Sequence, residues 1–241
     1  YAALSQVNQA IVRATTVEGL LSDVCQALVE AGRFRMAWLG EVEPSTNEIR
    51  AIARHGDNEG YLAGLRITIN DEPAGRGPTG MAIRENRAQV CDDVMTDPRM
   101  AQWREAAMRA GYRSSIGLPL TLPGGRRGVL TVYAGEPGFF KEEEIALLEE
   151  AAVDTAFGLA NLDRDARRLQ AEQSLRTSEA RYHSTLDSIR EGCQIIGFDW
   201  RILYLNQAVE RQNRRPNSEL LGRTIMDCWP GVEETTLFRI L

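Results

Sequence analysis

The chain has 241 residues, 43% of them hydrophobic, which is enough apolar material for one ordinary domain and a second, smaller or incomplete one. Its 28 Lys and Arg against 34 Asp and Glu leave a formal charge of −6, which argues against nucleic acid or an anionic membrane as partner, because phosphate binding draws on clustered cations. Cys25, Cys91, Cys193 and Cys228 form no CxxC pair, and His55 and His183 are the only histidines, so a tetrahedral zinc site is not expected and the cysteines read as reduced packing residues of a cytoplasmic protein. No apolar run approaches the roughly 18 to 20 residues of a membrane span, and the start carries no signal-peptide pattern. The chain opens at Tyr1 rather than Met and is expected to be a piece of something longer.

In chain order, Leu4, Val7, Ile11 and Ala14 form a narrow helical stripe of the kind that pairs helices. Thr15 and Glu18 stand in capping-box relation before a second helix, whose broad apolar face of Leu20, Leu21, Val24, Cys25 and Leu28 ends at Gly32. From Phe34 the period becomes two, with Phe34, Met36, Trp38, Gly40 and Val42 alternating with Arg35, Ala37, Leu39 and Glu41, which predicts a strand. Pro44-Ser45-Thr46-Asn47 turns it into a second strand over Ile49 to His55, and a third is expected over Leu65 to Ile69. Pro78 opens a short helix running to about Asn86, since its missing N–H has no partner to lose there.

Ala88 to Asp92 reads as a strand, and Arg99 to Ala110 as a helix stopped by Gly111. Ser115 to Leu122 and Gly128 to Ala134 flank Pro123-Gly124-Gly125-Arg126, the strongest hairpin signal in the chain. A long helix then runs from about Lys141 to about Arg190. In it Ile145, Leu148, Ala152 and Phe157 are assigned to a globular core, and Leu162, Ala166, Leu169, Leu175, Tyr182 and Ile189 to a coiled-coil seam that slips between Leu169 and Leu175. Strands return at Cys193 to Phe198 and Ile202 to Leu205, with short helices over Gln207 to Gln212 and Ser218 to Leu221 and room for one more between Gly222 and Leu241.

The run Gly75-Arg76-Gly77-Pro78-Thr79-Gly80-Met81-Ala82-Ile83-Arg84, then Asp92-Asp93-Val94, Asp97-Pro98, Trp103, Gly111-Tyr112 and Leu118-Pro119-Leu120, resembles GAF domains of bacterial signalling proteins. Gly128-Val129-Leu130-Thr131-Val132-Tyr133 and the entry from Phe140 to Glu144 complete the pattern. This resemblance implies an α+β fold, with a central antiparallel sheet, helices on one side and a small-molecule pocket on the other. From Ser178-Glu179-Ala180-Arg181-Tyr182, through Asn206-Gln207-Ala208 and Glu219-Leu220-Leu221-Gly222-Arg223, the chain resembles the opening of a PAS domain. The organisation implied is an N-terminal helix (1–16), a GAF domain (17–162), a linker helix (163–190) and a partial PAS domain (191–241).

Several chemistries of such relatives lack their residues here. Free methionine sulfoxide reductases of the GAF type need cysteines near the Gly-rich segment, where Pro78-Thr79 stands and Cys91 has no resolving partner nearby. Neither histidine follows a cysteine, so covalent bilin is not expected. No axial ligand suggests haem, Ile225 stands where a LOV-type flavin thiol would, and the cyclic-nucleotide signature is matched only by Phe140 and Glu144. His183 lacks the surroundings of a kinase phosphoacceptor. The segment from Gly75 to Gly80 has no Lys-Ser/Thr to serve phosphate, so it is not a P-loop.

Carried across residue by residue, the resemblance selects Trp38, Thr79, Asp93, Trp103, Ser115 and Tyr133 as lining a ligand pocket. Each also has a structural use: Trp38 and Tyr133 in the sheet core, Asp93 and Thr79 as caps, Ser115 in backbone satisfaction, Trp103 in locking its helix. The expectation is a non-catalytic sensory module that binds a small molecule, pairs as a homodimer through its N-terminal and linker helices, and acts on an output such as a histidine kinase or a cyclic-di-GMP enzyme. The alternatives are a dimerisation relay without ligand and, more remotely, a thiol redox enzyme of the methionine sulfoxide reductase GAF type acting at Cys91. The ligand's identity stays open.

Overall fold

The computed structural model describes residues 2–56 and 60–236. The chain divides into two compact units, one to Arg167 and one from Arg168.

The first unit is built on a five-stranded antiparallel sheet of β1 (Met36–Val42), β2 (Ile49–His55), β3 (Gln89–Cys91), β4 (Ser114–Leu122) and β5 (Arg126–Ala134), in the order β2-β1-β5-β4-β3. The alternation along β1 is buried on both faces, and this divides the interior into two cores. Ala37, Leu39, Ile116, Leu118, Leu130 and Val132 face helices α1 (Ala2–Arg13), α2 (Val17–Gly32) and α5 (Glu142–Ser188). Met36, Trp38, Val129 and Tyr133 face the other way, toward α3 (Pro78–Glu85), α4 (Arg104–Arg109) and the connecting loops. This is the α+β arrangement that the sequence implies, with long helices on one side and short elements on the other.

The chemistry of individual residues sets several boundaries away from their expected positions. The cap of α2 is Thr16 rather than Thr15: its hydroxyl accepts from Gly19 N at 3.1 Å. Helix α2 does end at Gly32, but the left-handed residue is Arg33 (φ 59), and the absent Gly32 side chain makes room for the Phe34 ring. The third strand expected over Leu65 to Ile69 shrinks to one bridge, Thr68 with Glu48, carried by Ile49 N to Ile67 O at 2.8 Å and Ile69 N to Asn47 O at 3.0 Å, while the Thr68 amide on the other side bonds Ala74 O at 3.0 Å. The helix expected from Arg99 splits, because Asp97 caps a tight turn at Pro98–Met100 and α4 begins only after Trp103. Gly124 and Gly125, both at φ +76, carry the β4–β5 hairpin.

Phe157 is not in the core. It lies about two and a half turns beyond Leu148, on the opposite face of α5, and is 66% exposed. The residues α5 buries are Leu148, Ala151, Ala152, Thr155, Gly158 and Leu159. The stripe on α1 does pair helices, but within its own chain: Val7 is fully buried, and a Cβ on Gly158 would lie 2.9 Å from Ile11.

The second unit contains the hairpin of β6 (Gln194–Ile196) and β7 (Ile202–Leu205), then α6 (Gln207–Asn213) and α7 (Ile225–Cys228). Ile202, Leu205, Val209, Leu220, Ile225 and Cys228 form its core. The helix expected at Ser218 is a single tight turn over Asn217–Glu219. The room after Gly222 holds only α7 and a turn at Val232–Glu234, and residues 237–241 lie outside the described part.

Candidate functional site

Five of the six expected residues meet on the α3/α4 face of the sheet. Ser115 lies opposite Tyr133 in the β4–β5 register and opposite Cys91 in the β3–β4 register, and Trp38 faces Thr131 across β1–β5. The sheet therefore presents Trp38, Thr131, Tyr133 and Ser115 side by side. All four are at most 3% exposed.

Helix α3 is pressed onto this surface at its first turn. A Cβ on Gly117 would stand 2.8 Å from Pro78 O, so only glycine lets the helix come this close to β4. That approach brings the Thr79 and Thr131 hydroxyls to 3.2 Å, a buried hydrogen bond between helix and sheet. Trp103 is held over Gly77, whose missing side chain leaves the space its indole fills. Sequence reasoning picked out both residues without the glycines that position them.

Asp93 does not join this group. It lies at the rim, where its carboxylate accepts from the Arg113 guanidinium at 3.2 Å and from Met95 N at 3.1 Å. Its work is to fix the loop after β3, the structural alternative that sequence allows it. Arg99 and Arg104 complete the clamp, Arg99 donating to Val90 O at 2.7 Å and to Asp97, and Arg104 to Val94 O and Asp97 O.

The interior of the face is aromatic. Tyr61, Tyr112 and Tyr133 form a three-ring cluster with centroid separations of 4.9 to 5.6 Å, and the Tyr112 hydroxyl reaches Met36 Sδ at 3.4 Å. Tyr61 and Tyr112 were not among the expected site residues, since Tyr61 lies in a loop with no periodicity to assign it a face. Burial pushes the Tyr133 hydroxyl up to about 12, partly offset by the Tyr61, Trp38 and Thr79 polar groups turned toward it. Even so, the Trp38 Nε1 proton, turned toward that hydroxyl, makes no hydrogen bond of normal length and angle among the described residues, although the side chain is 1% exposed. A buried donor left this way costs free energy that an acceptor would return.

Cys91 is fully buried beside this cluster, and burial, with Asp97 next to it, pushes its thiol up to about 12. A thiol held protonated is a weak nucleophile. Cys25 belongs to the core on the far side of the sheet, and Cys193 and Cys228 to the other unit. Among the described residues no group of three or more His, Cys, Asp or Glu is placed to hold a metal, and no helix is long and apolar enough to cross a membrane. A separate cavity of about 240 Å³ opens on the helical side, between Leu4, Leu28, Phe34 and Phe139.

Solved structures repeat this architecture. Free methionine-R-sulfoxide reductase from Neisseria meningitidis, solved in complex with its substrate, is 24% identical with a TM-score of 0.56, the match covering 68% of this chain and 89% of that one. The GAF domain of a phosphoenolpyruvate-protein phosphotransferase from Coxiella burnetii is 23% identical with a TM-score of 0.56, covering 68% and 95%. The fRMsr of Staphylococcus aureus in its reduced form is 22% identical with a TM-score of 0.53, covering 66% and 93%. At these identities the likeness speaks for the fold alone. No curated protein matches the chain. The family model described as "GAF domain" matches residues 14–160, the span holding the whole sheet, the aromatic face and most of the helical-side core, and the chain therefore belongs to the GAF domain family.

Proposed function

We propose that the chain is a sensory module of a bacterial signal-transduction protein, whose aromatic face binds a small molecule and biases the packing of its helices. GAF domains are commonly small-molecule-binding regulatory domains. The observation that carries the reading is the Trp38 indole N–H, buried near Tyr133 and Thr131 without a well-formed hydrogen bond among the described residues. A buried donor held in place within an apolar, aromatic face is what a ligand with one acceptor would need. A ligand changes the helices only if it binds two arrangements with different affinity.

The same proposal assigns the second unit to the beginning of a PAS domain. Its hairpin, the Asn206-capped helix α6 and the turn before Gly222 support that assignment. A homodimer through the exposed Leu169, Leu175 and Tyr182 of α5 would relay the signal to an output such as a histidine kinase or a cyclic-di-GMP enzyme. The raised thiol of Cys91 supports a binding role over redox catalysis.

One observation favours a second reading. The three tyrosines fill the face with the chain's own side chains, as a purely structural relay would. A thermal-shift screen of nucleotides, amino acids, tetrapyrroles and flavins separates the two. Stabilisation by one compound, lost in Trp38→Phe, is the expected result. A folded dimer that no compound stabilises would leave the structural relay.

A further inference from the structure

The core of the second unit takes no residue from α5. Ile202, Leu205, Val209, Leu220, Ile225 and Cys228 form it, and the partly buried residues packed around them, Ile196, Trp200, Met226, Trp229 and Val232, all follow the helix. Tyr182 near the end of α5 is 55% exposed, and Ile189 just beyond it is 40% exposed. The helix end is therefore held to this unit by something other than a shared apolar core. Hydrogen bonds do it, and they converge on two residues.

Asn206 is fully buried, and both ends of its side-chain amide are in use. Its Nδ2 donates to Leu186 O at 3.1 Å, Ile189 O at 3.3 Å and Glu191 O at 2.9 Å, while its Oδ1 accepts from Cys193 N at 2.9 Å and Val209 N at 3.2 Å. Three carbonyls on one side and two N–H groups on the other fix which way the amide points. Leu186 O is one of the last four carbonyls of α5, which a helix cannot satisfy by its own ladder, so a side chain twenty positions downstream closes the helix. Asp187 adds a second tie: its carboxylate accepts from the Tyr204 hydroxyl at 2.8 Å and from Gln207 N at 3.2 Å. Apolar side chains can slide past one another, whereas hydrogen bonds weaken steeply when tilted. The end of α5, the entry to β6 and the start of α6 are thereby held in one orientation.

We infer that Asn206, assisted by Asp187, is the joint through which α5 steers the second unit: a turn or shift of the helix end passes to β6 and α6 through these hydrogen bonds rather than through apolar packing. This rests on the reading of α5 as a relay and assigns the residues at which the relay is made.

The test perturbs the helix and reads amide hydrogen exchange beyond the joint, in the full chain. Ala180→Gly, at an exposed position of α5, should speed exchange at the helix end roughly fivefold and carry the same change to the amides of Cys193 and Val209. Asn206→Asp keeps an acceptor for those two amides and removes the donors to the three carbonyls. In that background Ala180→Gly should speed the helix amides alone and leave Cys193 and Val209 unchanged. A purely structural Asn206 would instead raise exchange in both segments and still transmit the helix change. If Asn206→Asp does not fold, Asp187→Ala with Tyr204→Phe, which removes only the second tie, should reduce the transmitted change at least about twofold. Transmission as strong in Asn206→Asp as in the unmodified chain, or none in the unmodified chain, overturns the joint. A monomer in sedimentation removes the relay and leaves the transmitted exchange standing, whereas a dimer without transmission removes the joint alone.

Discussion

Cys25 and Cys91 are buried on opposite faces of the sheet, and burial is the first cause of both raised thiols, each pushed from 9.0 to about 12. An acid whose folded pKa stands above its unfolded one stabilises the fold below the unfolded value, and that contribution is lost as pH rises toward the folded value. The urea midpoint is therefore expected to fall as pH climbs above 9.0 toward about 12. Cys25→Ala/Cys91→Ala should flatten that fall, and an equally steep slope in the double variant would place its origin elsewhere. At this scale the sequence was a partial guide to the site. Trp38 and Tyr133 were legible because strand alternation assigns them a face, and Thr79 because the Gly-rich run assigns it a helix start. Asp93 lies at the rim, paired with Arg113, a position that sequence does not reveal because a carboxylate in a loop reads the same whether it faces a ligand or an arginine twenty residues on.

Elements follow local chemistry where one residue decides and depart from it where a distant contact decides. The long helices and the β4–β5 hairpin were legible from periodicity and turn residues, and the central antiparallel sheet from the resemblance. The strand expected at Leu65 is reduced to the single bridge of Thr68 with Glu48, and the bond from the Thr68 amide to Ala74 is a contact that no pattern announces. The approach of α3 to β4 was equally hidden, since it depends on Gly117 lacking a side chain under Pro78. Gly117→Ala is expected to cost about 1–3 kcal/mol, because the added methyl meets backbone that cannot swing aside. Urea unfolding measures it, and a loss below about 0.5 kcal/mol would mean that α3 moves freely on the sheet. The same substitution should weaken any ligand held between α3 and the sheet.

For the whole molecule, the apolar residues that α5 leaves uncovered matter most. Val153, Phe157, Leu169, Leu175 and Tyr182 are each more than half exposed on one helix, the apolar surface that a second copy would cover in the proposed homodimer. Sedimentation is expected to give twice the chain mass of 26.8 kDa, and Phe157→Glu with Leu169→Glu should return the single mass. A monomer before substitution would remove the helical relay. The tryptophans offer a different consequence. Trp38 and Trp103 both lie in the aromatic face, whereas Trp200 and Trp229 belong to the other unit. With Trp200→Phe and Trp229→Phe, the remaining fluorescence comes from the aromatic face alone. The protein carries its own optical gauge of that space: an occupant beside the Trp38 indole changes the colour and yield of its emission, with no dye attached.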